Sequence, residues 1–249
     1  MSEQIEAPLI EHLSEVRKRL ISCLVGFSAF FIVAYSQSEF LIHWILVPIK
    51  RIKPDIKLVT LDVTEGFVTT FKLSAYVALA LSMPIMIFQA WRFAEPGLLP
   101  KEKFWCRILL IPALILFTFG CCFCYFAVLP AALNFLLNSL GNDFIPAFSY
   151  SAYVDFALIF MAAMGVVFEL PLLMVFLDQL RLISTEAVQA HRRHGIVAAF
   201  ILGAVFSPPD VISQIFVSIP LVILMEIGIW FSLMLRKLKG VVPHSTHPE

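Results

Sequence analysis

Residues 108–129 read ILLIPALILFTFGCCFCYFAVL, an apolar run of 22 residues without a single charged side chain. A helix needs about 20 such residues to cross the hydrocarbon core of a bilayer, because the core is about 30 Å thick and each residue advances about 1.5 Å. The run therefore predicts a membrane-spanning helix.

Five further apolar stretches lie on either side of this run. The fifth span in chain order is short, with 12 residues covering about 18 Å, and two adjacent prolines, Pro208 and Pro209, separate it from the sixth. We therefore predict an all-α, polytopic membrane protein with a single six-helix domain over residues 1–239 and an exposed tail over residues 240–249. The approximate spans are 20–37, 70–91, 106–129, 153–177, 195–206 and 211–235.

The overall composition agrees with this fold class. Hydrophobic residues make up 60% of the 249 residues and charged residues only 14%, and the mean hydropathy is +0.89. A soluble domain carries about a quarter charged residues. The composition therefore excludes a soluble enzyme, a disordered hub and a nucleic-acid-binding module.

The distribution of Lys and Arg predicts the orientation. Thirteen of the 18 basic residues lie in segments on the same side of the spans as the N-terminus. The other five fall in one long connection on the opposite side, namely Lys50, Arg51, Lys53, Lys57 and Lys72. Because cytosolic loops carry the excess of positive charge, both termini are predicted to be cytosolic.

The sequence contains no signature of an enzyme, a metal site or a disulfide framework. The motifs HExxH, GxSxG, GxxxxGK[ST] and paired CxxC are absent, and four of the five cysteines lie in apolar runs. His191 and His194 have no Cys or carboxylate partners at a ligand spacing. We predict a protein that is not an enzyme and that needs no cofactor or metal.

The N-terminal segment predicts an amphipathic helix that enters the membrane. Its apolar stripe is Leu9, Leu13, Val16 and Leu20, and Glu15 falls on the opposite side, facing water. Two interpretations stay open for Glu15: an intrahelical pair with Arg19, or a functional acid. The first cytosolic loop, RFAEPGLLPKEKFWCR, is equally consistent with interfacial anchoring and with a surface that grips a peptide.

Glu169 is an acid about 13 Å inside the fourth span, where a carboxylate is costly and usually faces a cavity or a partner. Asp155 and Gly165 share roughly its helix face, and Pro171 frees the carbonyl of Val167 nearby. One interpretation is a protonated Glu bonded to the backbone; the other is a polar groove or docking site. A proton-coupled secondary transporter would also use Glu169, although the chain lacks the internal repeat that such transporters show.

Four segments, in order, resemble one family over nearly the whole chain. They are HLSEVRKRL at residues 12–20, the pattern F-x-x-P-G-L with a following Glu at residues 93–102, FELP at residues 168–171 and SPPDVISQ at residues 207–214. These segments are similar to the most characteristic motifs of TatC, the polytopic subunit of the twin-arginine protein translocase.

The resemblance implies a curved, cupped arrangement of six helices in the bacterial inner membrane. It also implies recognition of paired-arginine signal peptides at the cytosolic face, assembly with the single-span subunits TatA and TatB, and self-association in a larger complex. Transport of folded proteins in this family is powered by the proton motive force, with no ATP hydrolysed by this subunit.

The resemblance assigns roles to individual residues. Glu15 and Glu102 match the acids that receive the two arginines, and Arg17, Phe93 and Pro96 lie beside them. Pro48 matches an outer-loop proline, and Glu169 matches a buried acid. Around the fifth span, Ser207 and Gln214 match positions of partner contact, whereas Ala204 stands where some members have Met, which leaves the details of partner docking open.

The predicted topology can be tested with single cysteines at Asn142 and Lys239 in a cysteine-free background. An impermeant maleimide added to whole cells should label Asn142→Cys but not Lys239→Cys, because residues 130–151 are predicted to be periplasmic and the C-terminus cytosolic. The opposite labelling pattern would overturn the orientation.

Overall fold

The computed structural model describes residues 3–95, 100–138, 148–179, 185–206 and 211–238, and for some of them, including residues 3–12, the backbone alone. The chain falls into two compact units, Met1–Gly165 and Val166–Glu249.

The first unit is helical apart from two short strands in its described part. Its elements in chain order are α1 (Glu3–Ser36), α2 (Ser38–Ile52), β1 (Leu58–Val59), α3 (Glu65–Ala94), α4 (Pro100–Phe123), a π-helical turn (Cys124–Val128), α5 (Leu129–Asn138), β2 (Phe148–Ser149) and most of α6 (Tyr150–Phe168). The second unit begins in the last turn of α6. It continues through α7 (Leu170–Gln179), α8 (Thr185–Ala190), α9 (Arg192–Phe206) and α10 (Val211–Leu238).

Within the described residues, five helical stretches are long and apolar enough to cross a membrane: Leu13–Ser36, Glu65–Phe93, Arg107–Asn138, Tyr150–Asp178 and Val211–Leu235. The prediction of an all-α, multi-pass membrane protein is therefore confirmed. The predicted fifth span falls in α9, whose 15 residues cover about 22 Å. A sixth crossing, the single-domain assignment, the orientation and the cupped shape stay predictions.

The helix α2 was not predicted, because the sequence interpretation treated the region after the first span as a connecting segment. Ile45, Pro48 and Ile49 form its buried side. Glu39 lies in its first turn, and Lys50 and Arg51 lie in its last turn, so the charges complement the helix dipole. The segment has apolar residues spaced three to four positions apart, as in an amphipathic helix, but at 15 residues it is too short to span a membrane.

Two connecting segments of the first unit are joined at Glu65, the first residue of α3. β1 pairs in parallel with β2, Leu58 opposite Phe148 and Val59 opposite Ser149. The Glu65 carboxylate accepts hydrogen bonds from the Ser149 hydroxyl at 2.6 Å, the Ser151 N–H at 2.8 Å, and the N–H groups of Leu61 and Asp62. Glu65, which is 8% exposed, therefore links α3, β2 and α6.

Asp155 and Gly165 contact neighbouring helices rather than lining an open face, which corrects part of the expectation for the fourth span. Lys72 Nζ in α3 lies 2.8 Å from Asp155 Oδ2, a pairing that offsets the cost of placing either charge among apolar helices. Gly165 is packed so closely that an added Cβ would lie 2.7 Å from Phe117 and 2.9 Å from Cys121 of α4. At Gly165, the helix face that was expected to line a polar groove is therefore packed against α4.

In the second unit, α9 packs closely on α10. An added Cβ at Gly203 would lie 2.1 Å from Ser218 Oγ and 3.1 Å from the Gln214 carbonyl oxygen, and one at Gly195 would lie 2.4 Å from Met225 Sδ. Arg192 Nη2, at the start of α9, lies 2.9 Å from Glu226 Oε2 of α10. Glycine therefore allows the short α9 to lie against α10, and an ion pair joins the two helices near the start of α9.

Gly203→Ala is expected to lower the free energy of unfolding by about 1–3 kcal/mol, because the new methyl group overpacks the contact with α10. Adding Ser218→Ala should restore part of the loss, since it removes the closest atom. Thermal unfolding of the purified protein in detergent measures both effects. The control is Gly66→Ala in α3, where an added Cβ meets nothing within 4 Å. If Gly203→Ala behaves like this control, the close packing is not a constraint.

Candidate functional site

Glu15 lies where α1 meets the end of α3. Its carboxylate forms an i, i+4 ion pair with the Arg19 guanidinium, and Arg19 Nη2 also donates to the carbonyl oxygen of Arg92 at 2.8 Å. The Arg19 side chain thus links the Glu15 carboxylate to the last turn of α3, the turn that carries Phe93.

A second charged pair lies at the end of α3. Arg107 Nη2 of α4 lies 3.6 Å from Glu95 Oε1, just beyond the end of α3. The Arg92 guanidinium lies over the Phe88 ring, 5.8 Å from its centroid. We call Glu15, Arg19, Arg92, Phe93 and Glu95 the α1–α3 site. It combines two acids, two arginines and one aromatic ring, and each acid is paired with an arginine.

The orientation of α1 differs from the sequence expectation that Glu15 faces water, away from the apolar stripe. Leu13 and Leu20 are both 67% exposed, whereas the Arg19 side chain is only 18% exposed and the Glu15 side chain 37% exposed. The Glu15–Arg19 pair on the polar side of α1 therefore faces α3. The physical reason is that lipid, unlike water, accommodates exposed leucines without cost, so polar groups turn toward the protein.

The other predicted receptor residues are described to different extents. Arg17 is exposed on α1. Glu102 lies in the first turn of α4, with its side chain undescribed, and Pro96 lies outside the described residues. The structure thus brings Glu15 near the turn that carries Phe93. That Glu15 and Glu102 together form one receptor site stays a prediction.

The second unit contains an apolar groove along α9. Its volume is about 460 Å³. Gln214 of α10 supplies the polar side chain of its lining. The apolar lining comes from α9 and consists of Ile196, Val197, Phe200, Ile201, Ala204 and Val205. Gln214 Nε2 donates to the carbonyl oxygen of Phe200 at 2.9 Å. Two positions that the sequence associated with partner contact, Ala204 and Gln214, therefore line the same groove, while Ser207 lies outside the described residues.

Glu169 lies at the break between α6 and α7. Its N–H donates to the carbonyl oxygen of Val166 at 3.1 Å, and its carbonyl accepts from the N–H of Leu173 at 2.8 Å. The helix is interrupted here because Pro171 lacks the N–H that would bond to Val167. The Glu169 side chain is partly exposed.

Residues 11–220 match the family described as Sec-independent protein translocase protein (TatC). The chain belongs to the TatC family. It is 35% identical to the TatC of Carboxydothermus hydrogenoformans over 229 residues, which cover 92% of this chain and 93% of that protein. It is 34% identical to the TatC of Escherichia coli K12, covering 93% and 90%, and 35% identical to that of Aquifex aeolicus, covering 94% and 98%.

Solved TatC structures share the fold. One, described as the twin arginine translocase receptor TatC, has a TM-score of 0.76 at 35% sequence identity and covers 90% of this chain and 98% of that chain. A second, described as the same receptor in DDM, has a TM-score of 0.78 at 35% identity and covers 89% and 99%.

Sequence reasoning missed two polar links in this TatC family member. The sequence indicates Arg19 only as a helical partner of Glu15, because its bond to Arg92 joins residues 73 positions apart. It does not place Lys72 and Asp155 in a common site. The available signal was that the two residues have opposite charges and lie near the ends of two predicted spans on the same side of the membrane.

Proposed function

We propose that this protein is the signal-peptide receptor and core subunit of a twin-arginine translocase in the bacterial inner membrane, with both termini cytosolic. Membership of the TatC family supports the proposal, as do the solved relatives described as twin arginine translocase receptors. The observation that carries it is the α1–α3 site, where the Glu15 carboxylate already holds one guanidinium beside the end of α3.

The chemistry of the α1–α3 site fits a ligand with paired arginines. A carboxylate accepts two parallel hydrogen bonds from a guanidinium, which a lysine ammonium cannot reproduce. In this proposal Glu15 and Glu102 each receive one arginine, while Arg17, Phe93 and Pro96 border the bound peptide. Arg19 holds the Glu15 carboxylate in place until the peptide arginine shares it.

The proposed partners are TatA and TatB, further copies of this chain and the surrounding lipid. The groove along α9 suits a single apolar helix, since its lining is aliphatic and aromatic with the Gln214 amide as the polar contact. Ser207, Glu169 and Pro48 are proposed to contribute to assembly. Export of folded cargo is proposed to draw on the proton motive force.

A proton-coupled secondary transporter that uses Glu169 is not favoured. The family match covers residues 11–220 and its relatives are named as translocase proteins. The chain also lacks the repeated halves from which such transporters are built.

Glu169 is proposed to line a groove used by a partner helix or the signal peptide. Glu169→Gln, which keeps the shape, and Glu169→Ala, which removes the carboxyl group, should both accumulate normally yet export a twin-arginine reporter several-fold more slowly. The matched control is Glu226→Gln, an acid of the same unit that is paired with Arg192. Wild-type export by both Glu169 variants would favour a satisfied structural acid instead.

Glu15→Lys and Glu102→Lys are each expected to abolish crosslinking to a photoreactive twin-arginine peptide, because an attractive pair becomes a repulsive one. Glu→Gln at either position should weaken binding by about 1–3 kcal/mol, which corresponds to roughly 5- to 150-fold in the dissociation constant. Binding should also weaken as salt rises.

Glu95→Lys is the matched control, since it reverses a neighbouring acid that is paired with Arg107 and that receives neither peptide arginine in the proposal. It should retain most of the crosslinking. A peptide with acidic residues in place of the arginine pair should crosslink to the Glu15→Lys and Glu102→Lys variants. If those variants still crosslink the native peptide at the wild-type level, the receptor lies elsewhere.

A further inference from the structure

Pro48 leaves one backbone carbonyl of α2 without its helical donor. Proline has no N–H, so the carbonyl of Trp44, four residues earlier, cannot receive the usual i+4 helical bond. An unsatisfied carbonyl is costly, especially close to hydrocarbon. The Tyr125 hydroxyl donates to this Trp44 oxygen at 2.8 Å.

A second tyrosine donates to the next carbonyl of the same turn. The Tyr153 hydroxyl of α6 lies 2.5 Å from the oxygen of Ile45, and Tyr153 is buried. Two phenols from different membrane-spanning stretches, Arg107–Asn138 and Tyr150–Asp178, thus bond to adjacent carbonyls of α2. The Trp44 and Tyr125 rings also pack together, with centroids 6.5 Å apart.

The position of Tyr125 depends on an irregular turn of its own helix. Tyr125 lies in the π-helical turn Cys124–Val128, where the N–H of Leu129 bonds to the carbonyl of Cys124. Pro130 follows and cannot donate to Phe126. One extra residue in a turn rotates the side chains before it by about 100° relative to those after it. The turn is therefore able to direct Tyr125 toward α2.

We infer that Tyr125 and Tyr153 lock α2 onto the third and fourth spanning stretches, and that Pro48 creates the acceptor that Tyr125 fills. Tyr125 is then a positioning residue for export, a part of the inference that rests on the proposed function. In the predicted topology α2 lies on the side of the membrane opposite the α1–α3 site. Loss of the lock should affect export and leave peptide binding unchanged.

The lock is tested by the rate at which maleimide labels Ile49→Cys in a cysteine-free background, because Ile49 is 2% exposed and becomes reachable only when α2 detaches. Tyr125→Phe should raise the rate about two- to tenfold, the change expected from one net hydrogen bond. In a Pro48→Ala background the new N–H of Ala satisfies the Trp44 carbonyl. There Tyr125→Phe should have no larger effect than the control Tyr76→Phe, which removes a hydroxyl from α3.

Tyr153→Phe provides a second, independent comparison. Its acceptor is the Ile45 carbonyl, which Pro48 does not free, so its effect on labelling should be the same with Pro or Ala at position 48. The inferred role of Pro48 would be overturned if Tyr125→Phe raised the labelling rate equally with Pro and with Ala at position 48. It would also be overturned if Tyr125→Phe left the labelling rate at the wild-type level when Pro48 is present.

Export distinguishes this inference from the proposed function. Tyr125→Phe should accumulate normally, crosslink the twin-arginine peptide as the wild type does, and export a twin-arginine reporter several-fold more slowly. If Tyr125→Phe labels faster but exports at the wild-type rate, the positioning role in export is wrong, while the structural lock on α2 still holds. Should the wild-type protein itself bind no peptide and export no reporter, the proposed function is wrong, and the labelling comparison still decides the lock.

Discussion

Every peptide group within a bilayer must find its hydrogen-bond partner inside the protein, because hydrocarbon supplies none. This constraint makes the spanning segments helical, and it gives the prolines their structural importance. Where Pro171 removes a donor, the helix breaks at Glu169, and the N–H of Glu169 bonds three residues back. At Pro48 the freed carbonyl meets the Tyr125 hydroxyl instead. The irregular points of the chain are thus where side chains or altered turns complete the backbone hydrogen bonding.

The same scarcity of polar partners governs the charged side chains. Lys72 pairs with Asp155, Arg192 with Glu226, and Glu15 with Arg19. The first two join different helices, so each neutralises charge and fixes one helix against another. Glu65 also fixes neighbouring segments, by accepting hydrogen bonds from two N–H groups just before α3, from Ser149 of β2 and from the Ser151 N–H at the start of α6. In a soluble protein such pairs would contribute little, whereas close to lipid an unpaired charge carries a much larger cost.

The α1–α3 site and the groove along α9 illustrate two kinds of surface that suit a receptor. The first offers carboxylates held by arginines, which favours a cationic ligand whose geometry matches them. The second offers an aliphatic lining with one amide, which favours an apolar helix with a polar group at one level. The first surface lies in the first compact unit of the chain and the second lies in the other.

Apolar run length and composition were sufficient to determine the fold class and the approximate positions of five spans, because these depend on local hydrophobicity and backbone chemistry. The predicted turn at Pro208 and Pro209 lies outside the described residues. The motif resemblance identified the family and nominated Glu15, Glu102 and Glu169. Tertiary structure decided which side of α1 faces α3, since a stripe of leucines can face lipid as readily as protein. It also decided that Asp155 meets Lys72 and that Tyr125 meets Trp44. Those contacts join residues about eighty positions apart, and no local pattern of the sequence specifies which distant partner satisfies a given polar group.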